Sequence, residues 1–596
     1  MQEFQYHSVS EKIWQAKEFD QRLAVAIAQR HEISPIIGNL LAIRQVNLDE
    51  VEDFLEPKIK NTLPNPFLLS GVDEAVDHVI NAIKNNKKIT IFADYDVDGA
   101  TSSALLVRFF RQINVDADVY VPDRILEGYG PNSQALLNLK KNGTDLVITV
   151  DCGTVAFKPL EDAKKAGLEI IVIDHHLGVI EKPEAIAVIN PNLLDEKFTP
   201  KNICAATVAF LFAVAVNKKL KDQDFFNDKN PVNLFDLLDL VALGTVCDVM
   251  PLTGLNRALV SAGLKILKNR KNLGLRQICD LAGITNQPDA YSLGFVIGPR
   301  INAGGRVGQS NLGTKILASE CEIEIHEIAQ KLENFNKQRK DIETQVQNEA
   351  VQRLEQGVDG YSVNDPVIFS VAKNWHQGVI GIVASRLKDL YNKPVAVITI
   401  DCETNKAKAS CRSIAGIDFG AEILNARLQG LLLEGGGHAM AGGFSLTADK
   451  LKQLHEFFCN KFQRQVQEIN SVNNAFYDLE IDMMQINIQF LKELSKLEPF
   501  GVGNMRPRFL INDVKKIRSQ IIGSKQEHVS CIFTAKSMIG FSNQISAVAF
   551  RSVGQKVGDV LLGNKSYENI KLIATLNINS WMGVEKVQIL IEDVIV

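Results

Sequence analysis

Residues 91–103 read IFADYDVDGATSS, and the rest of the chain is best understood from this stretch. The apolar residues at its start predict a buried strand. That strand leads into three carboxylates at alternate positions, Asp94, Asp96 and Asp98. Because alternate residues of an extended segment point the same way, several carboxylates can converge at the carboxyl end of the strand. Carboxylates this close repel one another unless cations lie between them, and oxygen-rich sites suit Mg²⁺ or Mn²⁺.

Two other interpretations of the same stretch were weighed. The first is a solvated acidic turn, which is the common explanation of an isolated Asp-x-Asp pair. The second is an EF-hand calcium loop, which also begins Asp-x-Asp-x-Asp-Gly. That loop requires Glu at its twelfth position and a helix before it. This chain has Leu105 at the twelfth position and a strand before the loop, so the calcium interpretation fails.

Length and composition indicate a large globular protein. The chain has 596 residues, enough for about three or four domains, and 46% of them are hydrophobic. We find neither an apolar run long enough to cross a membrane nor a secretory signal at the N-terminus. The nine cysteines are scattered without a CxxC pair, which favours reduced thiols in a cytoplasmic protein over disulfides or a zinc site. The net charge of −5 means that any site for a polyanion must be a local basic patch.

The N-terminal half of the chain divides into two segments. Residues 1–75 have helical periodicity and carry no motif that suggests chemistry. Residues 76–250 alternate short β-branched runs with amphipathic helical segments, which is typical of a parallel, doubly wound α/β sheet. The predicted strands lie in KKITIFADYD, DADVYVPDR, DLVITVDCGT and LEIIVIDHH.

Polar residues follow the predicted strands at their carboxyl ends, where α/β sheets bind ligands. Besides the three carboxylates already named, these residues are Asp151, Asp174, His175 and His176, and Asp248 follows a later apolar run. Taken singly, such aspartates often cap the next helix, and a His-His pair can be a hydrogen-bonded turn. Together they predict a pair of Mn²⁺ or Mg²⁺ ions, which activate water and stabilise an in-line displacement at phosphorus.

The C-terminal half contains three further segments. Residues 251–355 are predicted to be helical and to end in a long, charged helix that joins two lobes, although a surface helix of one domain is also compatible. Residues 356–465 read as a second α/β unit, in which Ser410 and Arg412 leave a strand. The glycines of GGGHAMAGG, residues 435–443, form either a tight turn or an anion-binding backbone.

Residues 466–596 alternate apolar and polar residues in short runs, which predicts a small β-barrel. Residues 505–571 contain 11 Lys or Arg against 4 Asp or Glu, so this segment is basic within an acidic chain. A basic groove with aromatic platforms can hold single-stranded nucleic acid without reading its sequence. We expect most of the aromatic residues to lie in the core and one or two to stack on bases. They are Phe509, Phe533, Phe541, Phe550, Tyr567 and Trp581.

The motifs DYDVDG, VDCGT, DHH and the late Asp248 resemble, in order and spacing, the four motifs of the DHH phosphoesterases. Four more stretches make the resemblance more specific, namely RILEGYGPN, GPRINAGGRVG, WHQGVIGIVASRL and GGGHAMAGG. With them, nearly the whole chain is similar to the RecJ-type single-strand-specific exonucleases. The resemblance implies an α/β fold with two lobes, a parallel-sheet DHH lobe and a DHHA1-like lobe, joined by a long helix. It also implies a C-terminal OB-fold-like β-barrel.

The same resemblance implies a 5′-to-3′ exonuclease that degrades single-stranded DNA to mononucleotides with two Mn²⁺ or Mg²⁺ ions, in DNA repair and recombination. The implied metal ligands are Asp94, Asp96, Asp98, Asp151, His175 and Asp248. Asp174 would orient the site, and His176 would contact the scissile phosphate. Arg124, Ser410 and Arg412 would hold the 5′-terminal phosphate. The remaining implied substrate-binding residues are Arg300, Asn302, Arg306, Gly436, Gly437 and His438. The suggested partners are a single-strand-binding protein and a helicase, and a monomer with no membrane attachment is expected.

Some positions depart from the family pattern. The chain reads Cys204-Ala205-Ala206-Thr207 and Ala303-Gly304-Gly305-Arg306 where the family usually has Cys-Gly-Ala-Gly and Ala-Ala-Gly-Arg, and Met505 replaces a proline. None of these replaces an expected ligand, so they affect local loop shape. Two alternative functions are a phosphoesterase for short oligonucleotides, cyclic dinucleotides or pyrophosphate and a catalytically inactive DNA-binding scaffold. The C-terminal β-barrel and the connecting helix argue against the first, and the complete set of expected ligands argues against the second.

Overall fold

A computed structural model describes residues 5–227, 230–470, 473–537, 544–563, 570–581 and 584–596. The chain forms two compact units that each combine segments distant in sequence. The first unit contains Met1–Thr62, Pro251–Ser261 and Val472–Val596, and the second contains Leu63–Met250 and Ala262–Ser471. These two units are a different division from the five consecutive domains expected from the sequence, so those domains stay a prediction.

The N-terminal segment contains two strands besides the expected helices. Its elements are β1 (Tyr6–His7), β2 (Ile13–Ala16), α1 (Gln21–Arg30), α2 (Pro35–Ile43), α3 (Val51–Leu55) and α4 (Ile59–Thr62). Asp20 and Ser34 begin α1 and α2 by accepting hydrogen bonds from free backbone N–H groups of the first turn. The strands were missed because they are two and four residues long, too short for a periodic pattern to appear.

The following segment is an α/β lobe around a parallel sheet. Its elements are α5 (Val72–Lys84), β3 (Ile89–Ala93), α6 (Val97–Gln112), β4 (Ala117–Tyr120), α7 (Ser133–Lys141), β5 (Leu146–Val150), α8 (Phe157–Lys165), β6 (Glu169–Ile173), β7 (Ala187–Ile189), α9 (Ala205–Asp222) and α10 (Leu238–Cys247). The strand order is β4-β3-β5-β6-β7, and all neighbours are parallel. Every residue of β3 and β5 is buried, as expected for a sheet with helices on both faces.

A helical region connects this lobe to the next one. Its elements are α11 (Gly254–Lys268), α12 (Leu273–Leu281), a π-helical segment (Ser292–Ile297), α13 (Gly298–Val307), α14 (Leu312–Ala318) and α15 (Glu322–Glu355). Helix α15 has 34 residues and is therefore about 50 Å long. Its N-terminal part packs on α12, α13 and α14, and its C-terminal part packs on the second lobe. This confirms the expected helix joining two lobes.

The second lobe is also α/β. Its elements are β8 (Ile368–Lys373), α16 (Gln377–Tyr391), β9 (Val395–Ile400), β10 (Lys406–Arg412), α17 (Phe419–Leu428), β11 (Glu434–His438), β12 (Ala441–Thr447) and α18 (Leu451–Asn470). The sheet order is β11-β12-β10-β9-β8, with only β8 and β9 parallel. Across all the described residues, no helix is both long enough and apolar enough to span a membrane.

The C-terminal segment is mostly β-structure. Its elements are β13 (Asn474–Tyr477), β14 (Leu479–Asp482), α19 (Ile488–Ser495), β15 (Arg508–Asn512), β16 (Val514–Ile522), β17 (His528–Ala535), β18 (Ile545–Ala549), α20 (Lys556–Leu562), β19 (Lys571–Trp581) and β20 (Val584–Ile595). Seven of these strands form one sheet in the order β14-β15-β19-β20-β18-β17-β16. Of the aromatic residues singled out in the sequence, Phe509 and Phe533 are buried and Phe550 is exposed. Phe541, Tyr567 and the side chain of Trp581 lie outside the described residues.

The N-terminal and C-terminal segments share one core. Strand β2 pairs in parallel with β13, and apolar residues of α1 and α2 pack with those of the seven-stranded sheet. The buried Trp14 ring donates a hydrogen bond from Nε1 to Asp593 Oδ2 over 2.9 Å. The first unit is therefore built from the two ends of the chain.

Candidate active site

Three neighbouring strands of the first lobe each end in an acidic residue. Asp94 follows β3, Asp151 follows β5 and Asp174 follows β6, and these strands are adjacent and parallel. Asp96 caps α6 by accepting from the N–H groups of Asp98 and Gly99. The cap starts the helix at once, so Asp98 lies in its first turn and is fully buried.

The imidazole of His175 lies at the centre of this cluster. Its Nε2 is 3.3 Å from Asp151 Oδ1, 3.5 Å from Asp248 Oδ2 and 3.8 Å from Asp98 Oδ2. Asp248 reaches the cluster from the C-terminal cap of α10, which packs on α6. Three groups of residues place ligand atoms within 4.8 Å of one another, namely Asp94 with Asp96 and Asp151, Asp98 with His175 and Asp248, and Asp151 with His175 and His176. All six expected ligands are thus brought together.

Four buried atoms in this cluster lack a hydrogen-bond partner among the described residues. They are Asp94 Oδ1, Asp151 Oδ1, His175 Nε2 and Asp248 Oδ2. An unsatisfied buried polar atom costs about 1–3 kcal/mol, so four in one place fit a site that binds a cation. Carboxylate oxygens with one imidazole nitrogen are a donor set that fits Mn²⁺ or Mg²⁺.

The pKa values of the carboxyls point to the same conclusion. Burial, followed by repulsion from neighbouring carboxylates, raises the pKa of Asp94 and Asp151 well above the usual range. The same two causes raise the pKa of Asp248 to about 9. Such a group of carboxylates is stable in ionised form only next to positive charge, which divalent cations supply.

Asp174 and His176 form a separate pair beside the cluster. Asp174 Oδ1 is 2.8 Å from His176 Nδ1, and Asp174 Oδ2 accepts from the N–H of Thr154 over 3.0 Å. Burial alone would lower the pKa of His176, but the hydrogen bond to Asp174 and its charge outweigh burial and raise it to about 9. Burial opposes ionisation of Asp174 as well, yet its hydrogen bonds lower its pKa. The pair is therefore an ion pair with a partly exposed imidazolium.

Several positioning groups were not recognised from the sequence. The hydroxyl of Tyr129 donates to the carbonyl oxygen of Asp151 over 3.0 Å and lies 3.1 Å from His176 Nδ1. Asn190 Nδ2 donates to Thr154 Oγ1 and to the carbonyl oxygen of His176, each over 2.8 Å. Tyr129 belongs to the RILEGYGPN motif, which gave the only available signal. Asn190 gave none, because an Asn after a short strand is ordinarily a turn residue.

The backbone also contributes to the cluster. The first two residues of α9, Ala205 and Ala206, donate their N–H groups to the Asp98 carboxylate over 2.6 and 2.9 Å. This part of the chain departs from the family pattern, yet its amides hold an expected ligand. Asp151 adopts a left-handed backbone conformation with φ of 62°, which costs a non-glycine residue about 1 kcal/mol.

A group of arginines lies close to the cluster, between the two lobes of the second unit. Arg124 stacks on the ring of Tyr95 at 4.7 Å, and Arg306 Nη1 donates to the carbonyl oxygen of Gly378 over 3.1 Å. Burial, followed by the charge of Arg124, lowers the pKa of Arg306 to about 10. Arg412 also adds to this repulsion, so the three guanidinium groups lie near one another and together favour a bound anion.

Arg412 is fixed by the second lobe. Its Nε donates to Ser385 Oγ over 3.1 Å, and its Nη1 donates to Ser410 Oγ over 3.3 Å. A Cβ at Gly381 would lie 3.0 Å from Ser410 Oγ and 3.3 Å from Arg412 Nη2, so a residue larger than glycine would crowd these two side chains.

The glycine motif covers β11 and the start of β12, the strand that pairs directly with the strand of Arg412. Register places Ser410, Gly443 and Gly436 in one row across β10, β12 and β11, and Arg412, Ala441 and His438 in another. Two strand spacings separate the outer members of each row by about 10 Å. Gly437 pairs with Gly442 in the row between.

The remaining expected substrate residues lie on α13. Arg300 donates from Nε to Glu333 Oε2 and from Nη1 to the carbonyl oxygen of Val296, each over 2.7 Å. Asn302 is on the same helix and partly buried.

The parallel-sheet lobe with acidic strand ends, followed by a mixed second lobe, defines the class of the DHH phosphoesterases. The model of the DHH family, N-terminal domain, matches residues 88–245, the DHHA1 domain matches 364–464 and the RecJ OB domain matches 477–593. These matches confirm the resemblance inferred from the motifs. The chain belongs to the RecJ family.

Relatives support this membership over nearly the full length. The chain is 31% identical to the single-stranded-DNA-specific exonuclease RecJ of Bacillus subtilis, over 97% of this chain and 70% of that protein. The crystal structure of RecJ from Thermus thermophilus in complex with Mn²⁺ has a TM-score of 0.75 and 26% identity, covering 96% of this chain and 78% of that one. The Mg²⁺ complex of the same protein has a TM-score of 0.70 and 25% identity, covering 97% and 77%.

Proposed function

We propose that this chain is a metal-dependent 5′-to-3′ exonuclease that degrades single-stranded DNA to mononucleotides. The observation that carries the proposal is the buried cluster of carboxylates around His175, with four polar atoms that lack partners among the described residues. A site with this donor set, in a chain of the RecJ family, favours hydrolysis of a phosphodiester.

Six residues of this chain would hold the two metal ions. They are Asp94, Asp96, Asp98, Asp151, His175 and Asp248. When bound, such ions lower the pKa of water and neutralise charge on the phosphoryl oxygens. Asp98 is held in place by the amides at the start of α9, so its carboxylate is preorganised before an ion arrives.

His176 would act on the scissile phosphate. The hydrogen bond to Asp174 and its charge raise the pKa of His176, which favours the protonated ring that can donate a hydrogen bond to a phosphoryl oxygen as negative charge develops there. Asp174 holds the ring in one orientation through Nδ1. The hydroxyl of Tyr129 lies 3.1 Å from the same nitrogen, and the tyrosine ring packs edge-on against the imidazole.

The arginine group supports 5′ polarity. A 5′-terminal phosphate carries up to two negative charges and three free oxygens, whereas an internal phosphodiester carries one charge and two free oxygens. Arg124, Arg306 and Arg412, with Ser410, would satisfy the terminal group better than an internal one. An end held in this pocket places the first linkage at the carboxylate cluster.

The rest of the strand would follow basic and glycine-rich surfaces. Arg300 and Asn302 lie on α13, and the exposed backbone of Gly436 and Gly437, with His438, forms an edge strand of the second lobe. The basic C-terminal sheet would bind single-stranded DNA without reading sequence, so affinity should fall steeply with salt.

The cellular setting belongs to the same proposal. An exonuclease of this polarity would process single strands in DNA repair and recombination in the cytoplasm. A helicase would supply its substrate, and a single-strand-binding protein would share it. One chain carries both lobes and the basic sheet, which is compatible with action as a monomer.

The proposal is tested by digesting a 5′-phosphorylated single-stranded oligonucleotide that is labelled at its 3′ end, with Mn²⁺ or with EDTA. The expected result is a ladder that shortens from the 5′ end, with mononucleotide products, and no reaction on blunt duplex or with EDTA. The variant Arg412→Met should reduce the preference for a 5′-phosphate over a 5′-hydroxyl end.

Two results would contradict the proposal. An oligonucleotide that stays intact under Mn²⁺ would point to a small nucleotide as substrate. Full activity of Asp98→Asn or His175→Asn would show that the cluster does not perform the reaction.

A further inference from the structure

The π-helical segment before α13 and the residue that directly precedes it each expose one large aromatic side chain. Tyr291 is 63% exposed and Phe295 is 70% exposed, and their rings stack on each other with centroids 4.9 Å apart and an angle of 22°. The neighbouring Leu293 and Ile297 are buried, so the segment already has an apolar face in the core. The aromatic pair is therefore a second apolar surface that the fold itself does not use, and π-helical turns are frequent at functional sites.

The segment that carries this pair packs near the residue that bears the expected ligand Asp248. The thiol of Cys247 lies 3.5 Å from the carbonyl oxygen of Leu293, and Cys247 directly precedes the expected ligand Asp248. Gly294 and Gly298 come close to the side chains of Val246 and Cys247. The π-helical segment thus packs against the end of α10 that carries Asp248.

Positive charge lies on the same helical run. The guanidinium of Arg300 folds back by one turn to the carbonyl oxygen of Val296, the residue after Phe295, but its Nε pairs with Glu333, so the net positive charge comes from Arg306. Arg306 follows on α13, at the arginine group between the lobes. A ligand that suits this combination has flat apolar rings and a chain of negative charges, which describes single-stranded nucleic acid.

We propose that Tyr291 and Phe295 form a stacking platform for a base of the single strand, beside the reaction site. The inference rests on the proposed function and deepens it by assigning a base contact near the site in addition to phosphate contacts. Every base has a π-face, so such a platform holds a strand in position without selecting its sequence. It would keep the strand from sliding while its 5′ end is held by the arginines.

The test measures binding separately from hydrolysis. The affinity of a 3′-labelled, 5′-phosphorylated oligonucleotide of about 20 nucleotides is measured by fluorescence anisotropy in EDTA, where no cleavage occurs. Tyr291→Ala and Phe295→Ala should each weaken binding about tenfold. Phe295→Trp should keep the affinity, whereas Phe295→Leu should not, because leucine is apolar but cannot stack.

A matched control is Phe235→Ala. This ring is 58% exposed and precedes the opposite end of α10, so its removal should leave affinity unchanged. A series of oligonucleotides, each with one abasic nucleotide at a different position, shows which base of the strand stacks on the pair. In the wild type, one abasic position should weaken binding, and that position should lose its effect in the Phe295→Ala variant.

The outcomes separate the two proposals. Unchanged affinity in both alanine variants, or full recovery with leucine, overturns the platform and assigns the pair to an apolar partner instead. If the wild type binds the strand and the alanine variants weaken binding, but no Mn²⁺-dependent cleavage occurs, the platform stands and the exonuclease proposal fails. If the wild type does not bind single strands at all, both fail.

Discussion

Asp98 is the residue on which the metal site depends most directly. Its carboxylate is fully buried, accepts two backbone N–H groups and lies 3.8 Å from His175 Nε2. Because the surrounding carboxylates repel one another, ion binding should stabilise the fold. We predict that Mn²⁺ at about 100 times its dissociation constant adds about 2.7 kcal/mol to the free energy of unfolding.

This stabilisation is measured as a rise in Tm upon Mn²⁺ addition and its reversal by EDTA. Asp98→Asn should bind Mn²⁺ more weakly and lose most of the rise. The control Asp73→Asn removes an exposed carboxylate from the first turn of α5 and should keep the full rise. An equal rise in both variants would mean that Mn²⁺ acts elsewhere.

Asp239 is a buried carboxyl of α10 outside the cluster, and its titration should be visible in stability. Burial, opposed by Arg108, raises its pKa from 3.8 to about 6. A raised folded-state pKa gives stability that is complete below about pH 4 and is lost as pH rises through 6. The free energy of unfolding of Asp239→Asn should therefore rise relative to that of the wild type between about pH 4.5 and 7, by at most roughly 3 kcal/mol. Above this range the difference should stay constant.

The measurement is Tm of both proteins across this pH range. Asp73→Asn serves again as the exposed control and should show no divergence with pH. A difference between Asp239→Asn and the wild type that is the same at every pH would contradict the prediction.

At the scale of single elements, helix α15 contains a buried ion pair. Arg339 and Glu343 lie one turn apart, with Nη1 and Oε2 2.5 Å apart, and their side chains are about 10% exposed. Glu343 also faces Arg386 of α16 at 3.4 Å. Removing the carboxylate leaves buried guanidinium charge unpaired, so Glu343→Gln should destabilise the second unit by about 3 kcal/mol.

Chemical denaturation measures this loss. The control is Glu161→Gln, because Glu161 forms an i,i+4 pair with Lys165 on the exposed side of α8. That control should leave the denaturation midpoint unchanged. If both variants behave alike, the pair in α15 does not link the connecting helix to α16.

Elements whose signal is local were predictable from sequence. Strand β3 and its acidic end follow from an apolar run and alternating carboxylates, and α15 follows from a long charged run without glycine or proline before its end. The contacts of Asp98 with the start of α9 were not predictable, because they join residues more than 100 positions apart through backbone amides. No side-chain pattern records such a contact.

The pairing of distant segments was equally hidden from local sequence patterns. Periodicity described the N-terminal helices, but it could not show that β2 pairs with β13. Partner choice over 460 residues depends on which apolar faces fit together, and local sequence does not encode that. The expected metal ligands were brought together, whereas Asn190, which holds Thr154 and the backbone of His176, had no signature in the sequence.

At the scale of the molecule, the first unit is held together by a segment from the middle of the chain. Arg257 is buried, donates to the carbonyl oxygens of Phe54, Glu498 and Pro499, and stacks on the Phe54 ring at 4.0 Å. One side chain of 251–261 thus connects the N-terminal and C-terminal segments of that unit. The C-terminal sheet is therefore not an independent appendage.

A truncation at residue 471 tests this architecture. Removing 472–596 deletes β13 and the seven-stranded sheet, and with them the apolar partners of Ile27, Ile37 and Leu40. We predict that the N-terminal segment then loses its fold and exposes apolar surface, although its own sequence is intact. Limited proteolysis should release residues 1–62 rapidly from the truncated chain and slowly from the full chain, with increased binding of a hydrophobic dye.

The control is the chain 63–471, which lacks both ends of the first unit and should bind less dye than the chain 1–471. Protection of residues 1–62 in the chain 1–471 would mean that these helices fold without the sheet. In the chain 1–471, loss of the C-terminal binding surface and unfolding of the N-terminal segment occur together. The effect of losing the C-terminal sheet on nuclease activity must therefore be measured on the chain 63–471.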